Sequence, residues 1–304
     1  MFQTIRNAWR IPDLRKKLLY TLGMLIIFRF GSYVPVPYLD RARVMALLSA
    51  GGGSSLLDFM NIFSGGAFAN ATIFAMSITP YINASIIMQL LTVAIPALER
   101  ISKEGEEGRK KLAQWSRYLT VVLALIQAIG LYFTLKNGYQ AVTTPGFLAG
   151  ATIVLTFTAG TAFLMWLGEQ INDKGIGNGI SILIFAGIVS RGPQMIQAIV
   201  EYNKSGTLNI FTTIILIVVA VIVIGFVVAM TNAERKIPVQ YSKRVVGRKM
   251  YGGQSTSIPI KVASAGVMPI IFAMSIMAFP GTVTSFFVND ISKVKGFWGV
   301  VLKV

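Results

Sequence analysis

Seven apolar stretches, each long enough to cross a bilayer, alternate along this chain with connecting segments that are alternately rich and poor in Lys and Arg. The pattern predicts spans at about 18–36, 72–95, 118–135, 148–168, 179–199, 210–230 and 262–288. Arg6, Arg10, Arg15, Lys16 and Lys17 precede the first span. On the same side fall Arg100, Lys103, Arg109, Lys110, Lys111 and Arg117, then Lys174, then Arg235, Lys236, Lys243, Arg244, Arg248, Lys249 and Lys261. The other side carries only Arg41, Arg43, Lys136, Arg191, Lys204, Lys293, Lys295 and Lys303. Lys and Arg accumulate in cytoplasmic loops, so the pattern predicts an inside N-terminus and an outside residue 304.

Composition excludes most alternatives to a polytopic membrane protein. Apolar residues make up 54% of the chain and charged ones 13%, too little charge to solvate a globular surface of this size. The net charge of +16 resides in the loops and points to anionic lipid headgroups, or to an acidic or nucleic-acid partner, on the cytoplasmic side. The chain has no Cys and no His, which removes thiol chemistry, imidazole ligands and the commonest general base. The expectation is a protein that is not an enzyme, with no catalytic residues, metal or cofactor.

The N-terminal apolar run continues through Arg29 to Pro37 without a small-residue cleavage site, so it reads as an uncleaved span. Residues 1–17 form a cytoplasmic segment in which Phe2, Ile5 and Trp9 recur at helical spacing; it is either a surface-lying amphipathic helix or a disordered tail. Arg29 falls roughly 16 Å into the predicted apolar layer. Its guanidinium either faces protein or reaches outward past Ser32 and Tyr33 to the headgroups.

Between the first two spans, Leu56, Leu57, Phe59, Met60, Ile62 and Phe63 make an apolar stripe two or three turns long, ended by Gly65 and Gly66. Followed by a full span, this reads as a discontinuous membrane helix, whose broken backbone must be buried in protein or line a cavity. The other reading is a helix lying on the outer leaflet.

Several motifs resemble the SecY family of protein-export channel subunits. They are Phe63-Ser64-Gly65-Gly66-Ala67, Pro80 through Leu91, Lys103-Glu104-Gly105-Glu106, Met165 through Gln170, Gly175 through Ser181, and Ala265-Gly266-Val267-Met268-Pro269. The resemblance implies an all-α polytopic membrane protein, a SecY-like helix bundle with inverted-repeat architecture. It covers about the first seven of the family's ten spans, so the first half of the repeat is expected complete and the second cut short. Residues 18–304 are then the membrane domain, with a plug at 56–66 and basic cytoplasmic loops at 97–117 and 231–261.

The function implied is a protein-conducting channel subunit of the cytoplasmic membrane, passing unfolded secretory polypeptide across and releasing signal or membrane segments sideways. Carried over by the flanking motifs, an apolar pore ring comprises Ile78, Ile82, Ile180, Ile184 and Ile271. On their own these isoleucines read as ordinary helix packing, although each pair spaced four apart shares a helix face. Asn83 and Gln127, with Ser275 opposite, are candidates for closing a lateral gate or else for routine polar packing. Arg109, Lys110, Lys243, Arg244, Arg248 and Lys249 are the docking candidates. The partners implied are the SecE and SecG subunits, the SecA motor ATPase or a ribosome, the secretory precursor and anionic lipids.

A secondary transporter with broken helices is the alternative, and it predicts ionisable groups at mid-membrane depth. Gly175, Gly177 and Gly179 lack the strand and Gly-Lys-Ser/Thr of a phosphate loop and read as a tight turn between helices. Single cysteines placed at Arg109 and Asn203 should label from opposite sides of the membrane. Labelling from the same side contradicts the span count.

Overall fold

A computed structural model describes residues 9–50, 61–62, 64–138, 140–144, 146–206, 209–239, 244–246, 249–251 and 256–262. The expected seventh span lies outside them. The chain divides into two compact units, residues 1–193 with 274–304, and residues 194–273.

In the first unit, helix α1 (Pro12–Gly31) starts on a proline whose fixed φ suits a first helical turn. It begins six residues before the expected span, so residues 12–17 belong to the same helix and the expected boundary at 17/18 marks no element end. Arg29 consequently sits in the last turn of α1, at the favourable end of the helix dipole. It donates to the Tyr33 hydroxyl at 2.8 Å and lies 4.8 Å from that ring's centre. This geometry supports the outward-reaching reading.

A short helix, α2 (Arg41–Ala50), follows in a segment expected to be loop. The chain just before it runs extended. Bridges pair Pro35 with Thr72 and Leu39 with Val142, joined by Val36 N–H to the Ala71 carbonyl at 2.9 Å and Asp40 N–H to the Ala141 carbonyl at 2.9 Å.

The expected second span is only partly helical. Helix α3 (Thr79–Ala94) begins with Pro80 in its first turn, and residues 64–78 are a succession of turns. The local cause is backbone conformation: Gly65, Gly66, Ala71 and Ser77 all have positive φ, which an α-helix cannot accommodate. Burial is nearly complete along this segment, with Ala67, Phe68, Thr72, Phe74, Ala75, Met76 and Ile78 all enclosed.

Pro96 opens helix α4 (Pro96–Lys103), bent 102° from α3. A Lys103 hydrogen bond and charge hold the exposed Glu99 carboxyl below the usual carboxylate range.

Helix α5 (Glu106–Phe133) carries Glu106 and Glu107 in its first turn, where the dipole favours them, and ends in a π-turn (Thr134–Gly138). Helix α6 (Phe147–Lys174) packs against α5, and α7 (Gly179–Val189) packs back on α6 and α1. The expected span at 179–199 is interrupted by a turn at Ser190 and Arg191, before α8 (Gly192–Lys204).

Two apolar cores form around residues 64–78. One gathers Phe68, Ala71, Ala75 and Met76 with Ala128, Leu131, Ile153 and Phe157. The other gathers Ala67, Phe74 and Ile78 with Phe28, Leu164, Leu167, Ile171 and Leu183. The turn segment is therefore the wedge on which α1, α5, α6 and α7 are assembled.

In the second unit, α9 (Ile210–Asn232) is apolar on every side and exposed along its length, as a lipid-facing span is. Asn203 Nδ2 donates to Thr213 Oγ1 at 2.9 Å, tying it to α8. The basic segment expected as a loop is β-structure. Strands β1 (Glu234–Val239) and β4 (Thr256–Lys261) pair antiparallel from Glu234 opposite Lys261 to Val239 opposite Thr256, and β2 (Arg244–Val246) pairs with β3 (Lys249–Tyr251). Alternating β-branched residues explain the ribbon, a signal masked by its charge.

Among the described residues, Glu106–Lys136, Phe147–Lys174, Gly179–Lys204 and Phe211–Asn232 are long and apolar enough to cross a membrane, and the bent α3–α4 pair passes the same test together. Helix α1 has the length, 20 residues, but carries charges at both ends.

Helix α6 touches the wedge at Gly160, where an added Cβ would lie 2.0 Å from the Ile73 carbonyl oxygen. Gly160→Ala should therefore cost about 3 kcal/mol, by forcing two backbones apart in a packed interior. At Gly23 nothing lies within 4 Å, and Gly23→Ala should stay within about 1 kcal/mol of the parent. Thermal unfolding in detergent micelles checks both, and equal midpoints for the two variants contradict the packing described.

Candidate functional site

The site is built where three chain reversals meet. At the first, Ile78 caps α3 and accepts the Ile82 N–H at 3.1 Å, which sets the two side chains one turn apart. Ile78 is buried inside the second core, and Ile82 lies on its partly exposed margin beside Tyr81.

The second reversal is the turn between α6 and α7. Gly177 has φ +69°, and Asn178 caps α7 by accepting the Ile180 and Ser181 N–H groups at 3.1 and 3.2 Å. Such a cap contributes about 1 kcal/mol. Asn172 Oδ1 accepts the Gly179 N–H at 2.7 Å. The expected turn between helices is thus present. Ile180 and Ile184, four apart on one face of α7, pack partly buried against the same core as Ile82. Four of the five expected ring residues meet in one apolar cluster, and Ile271 lies outside the described residues.

The third reversal is the expected hinge of the plug. Gly65 and Gly66 have φ +64° and +88°, and Gly65 lies so close to α7 that an added Cβ would stand 2.7 Å from the Gly187 carbonyl oxygen. Asn61 fastens the turn, its carbonyl accepting the Gly66 N–H at 2.9 Å and its side chain the Ala69 N–H at 3.1 Å. Ser64 Oγ accepts the Phe68 N–H at 3.2 Å. Ile62 is exposed; Leu56, Leu57, Phe59, Met60 and Phe63 lie outside the described residues.

Of the lateral-gate candidates, Asn83 has its side-chain oxygen buried with no hydrogen-bond partner among the described residues. Gln127 is partly exposed on α5, and Ser275 lies outside the described residues. Arg109 and Lys110 are exposed in the first turn of α5. Arg244 and Lys249 fall on β2 and β3, while Lys243 and Arg248 are outside the described residues.

The structure adds polar ties that sequence reasoning missed. Arg117 and Glu169 form an ion pair at 2.6 Å between α5 and α6, with Glu169 the more enclosed partner. The Tyr20 hydroxyl donates to Gln170 Oε1 at 3.2 Å, and Thr21 Oγ1 accepts the Ile176 N–H at 3.2 Å. The pairs are 52, 150 and 155 residues apart, so no local spacing announces them. Among the described residues no group of His, Cys, Asp and Glu could hold a metal ion. The arrangement sets aliphatic side chains against one apolar core, with polar ties joining α5 to α6 and α1 to α6 and the turn before α7.

A model of the SecY family matches residues 72–304. The chain is 48% identical over 289 residues to the protein translocase subunit SecY of Buchnera aphidicola subsp. Acyrthosiphon kondoi, covering 94% of this chain and 80% of that one. It is likewise 48% identical over 289 residues to the protein translocase subunit SecY of Escherichia coli K12, with 94% of this chain aligned. A solved structure described as that of a protein conducting channel shares the fold, with a TM-score of 0.64 and 21% identity over 90% of this chain. The chain spans 65% of the Escherichia coli relative and 60% of the solved chain. By its match to the family model over residues 72–304 and its sequence identity with translocase subunits, this chain belongs to the SecY family.

Proposed function

We propose that this protein serves as the channel subunit of a protein-export translocon in the cytoplasmic membrane, with its N-terminus inside. It passes unfolded secretory polypeptides across and releases signal or membrane segments into the lipid. The observation that carries this reading is that Ile82, Ile180 and Ile184 all pack partly buried against one apolar cluster, with the Gly65 turn seated on the same helix as two of them. Kinship with translocase subunits supports it.

No bond is made or broken in such a task; the protein must admit a chain while refusing ions. An apolar constriction does this by keeping its narrowest level dry, and branched aliphatic side chains adapt to whatever passes. Ile78, buried beneath the margin, and Ile271 complete the proposed ring. Leu56 to Gly66 form the proposed plug, hinged at Gly65 and Gly66. Asn83, Gln127 and Ser275 belong to the proposed lateral gate, where the Asn83 oxygen, buried and without a partner among the described residues, would accept a bond from a helix across the seam.

The exposed Arg109 and Lys110, with Lys243, Arg244, Arg248 and Lys249, form the proposed cytoplasmic docking surface for SecA or a ribosome, whose phosphates attract Arg and Lys. SecE, SecG and anionic lipids complete the proposed assembly. The reading assigns no catalytic residue. The transporter alternative loses its main candidate, because Arg29 stands in the last turn of α1 and reaches outward.

Replacing Ile82 and Ile184 by Asn in the full-length protein should wet the constriction. Ion leakage across a planar bilayer should rise by about tenfold, the change that roughly 1.4 kcal/mol of easier hydration produces. Discrimination against weak signal sequences should loosen as well. Leu or Met at the same positions should leave both unchanged. Parental leakage and selectivity in the double Asn variant contradict the assignment of these side chains to the gate.

A further inference from the structure

We infer that Thr21 of α1 is a positioning residue for the constriction, acting through the turn that carries α7. This inference rests on the reading of Ile180 and Ile184 as gate residues. Ile176 lies in a bend between two helices, where its N–H has no helical acceptor, and Thr21 Oγ1 receives it at 3.2 Å. The same hydroxyl donates to the Lys17 carbonyl one turn back at 2.9 Å. With its proton committed there, the oxygen presents only lone pairs to the turn, so the contact has a fixed direction.

Packing closes the same contact from the other side. A Cβ on Gly175 would stand 2.7 Å from Thr21 Oγ1 and 2.6 Å from the Ile171 carbonyl oxygen, so α1 reaches the turn because glycine is there. Thr21 is 8% exposed, and water does not readily substitute for it. Beyond the turn the chain is held tightly: Asn172 binds the Gly179 N–H, and Asn178 caps α7. A shift at Ile176 is therefore delivered to Ile180, one turn on, and to Ile184 with it, because α7 moves as a rigid rod. Gly179 meets the Gly168 backbone so closely that a Cβ would lie 2.1 Å from its carbonyl oxygen, which leaves α7 no slack against α6. Thr21 thus holds from the α1 side the same N-terminal end of α7 that the Gly179–Gly168 approach holds from the α6 side.

The full-length protein in its membrane assembly tests this by two readouts, hydrogen exchange at the Ile176 amide and ion leakage across a planar bilayer. Thr21→Val keeps the shape and deletes the acceptor; it should speed exchange at Ile176 by about fivefold or more and raise leakage severalfold. Thr21→Ser should restore both to the parental values. Thr21→Ala, which introduces no clash, replaces the valine variant if that one does not assemble. Tyr20→Phe removes the neighbouring bond to Gln170 and should leave Ile176 exchange unchanged. Parental exchange in the Val and Ala variants overturns the clamp, whatever the gate is made of. Faster exchange with parental leakage overturns the positioning role, provided the Ile82 and Ile184 Asn double variant leaks in the same bilayer. If that double variant does not leak either, the failure lies with the gate reading, and the positioning role falls with it.

Discussion

A polypeptide backbone inside a membrane has to satisfy its own hydrogen bonds, because the surrounding lipid offers none. Residues 64–78 meet that demand without being helical. Turn bonds such as Ala71 N–H to the Phe68 carbonyl at 2.9 Å and Ser77 N–H to the Phe74 carbonyl at 2.9 Å take up part of the need. The Asn61 and Ser64 side chains, and the extended pairing with Val34 and Val36, take up more. Two apolar cores then close over the segment. Because lipid tails are as apolar as leucine, what holds these cores together is close packing and backbone satisfaction rather than escape from water. Ala71 and Ser77 hold positive φ, a conformation worth roughly 1–2 kcal/mol of strain each, and only a surrounding this tight keeps them there.

The constriction we propose depends on the same constraint. Because residues 64–78 are turns, α3 starts only at Thr79, with Pro80, Ala84, Ile86 and Met88 buried. The glycine contacts with α6 and α7 bring those helices within backbone distance of the wedge. Polar ties then lie behind the apolar margin, the Arg117 to Glu169 pair and the Thr21 clamp among them. Polar ties together with aliphatic side chains suit the gate we propose, which must reseal after each passage.

Much of this was legible in the residue pattern. Length and hydropathy placed α5, α6 and α9 within a turn or two at one end at least, and the glycines at 65 and 66 marked a turn. Helix ends were harder, for α1 runs back into its basic flank and α3 starts late behind Ser77. Hydropathy sums over windows and does not see the single dihedral that stops a helix. The β-ribbon at Glu234–Val239 and Thr256–Lys261 was hidden because its charges read as a cytoplasmic flank. Long-range ties such as Tyr20 with Gln170 leave no trace in local spacing. The isoleucines of the cluster were chosen by family resemblance alone, and what the fold adds is that four of them share one apolar neighbourhood.

Site-specific photocrosslinking to a stalled secretory precursor tests the central claim most directly. Photoreactive residues at Ile82, Ile180 and Ile184 of the full-length protein should crosslink to the precursor chain during passage. Probes at the exposed Val93 and Phe185 should crosslink to lipid instead. Precursor adducts from Val93 and Phe185 as strong as those from the three isoleucines, or none from the isoleucines, contradict a polypeptide path through this cluster.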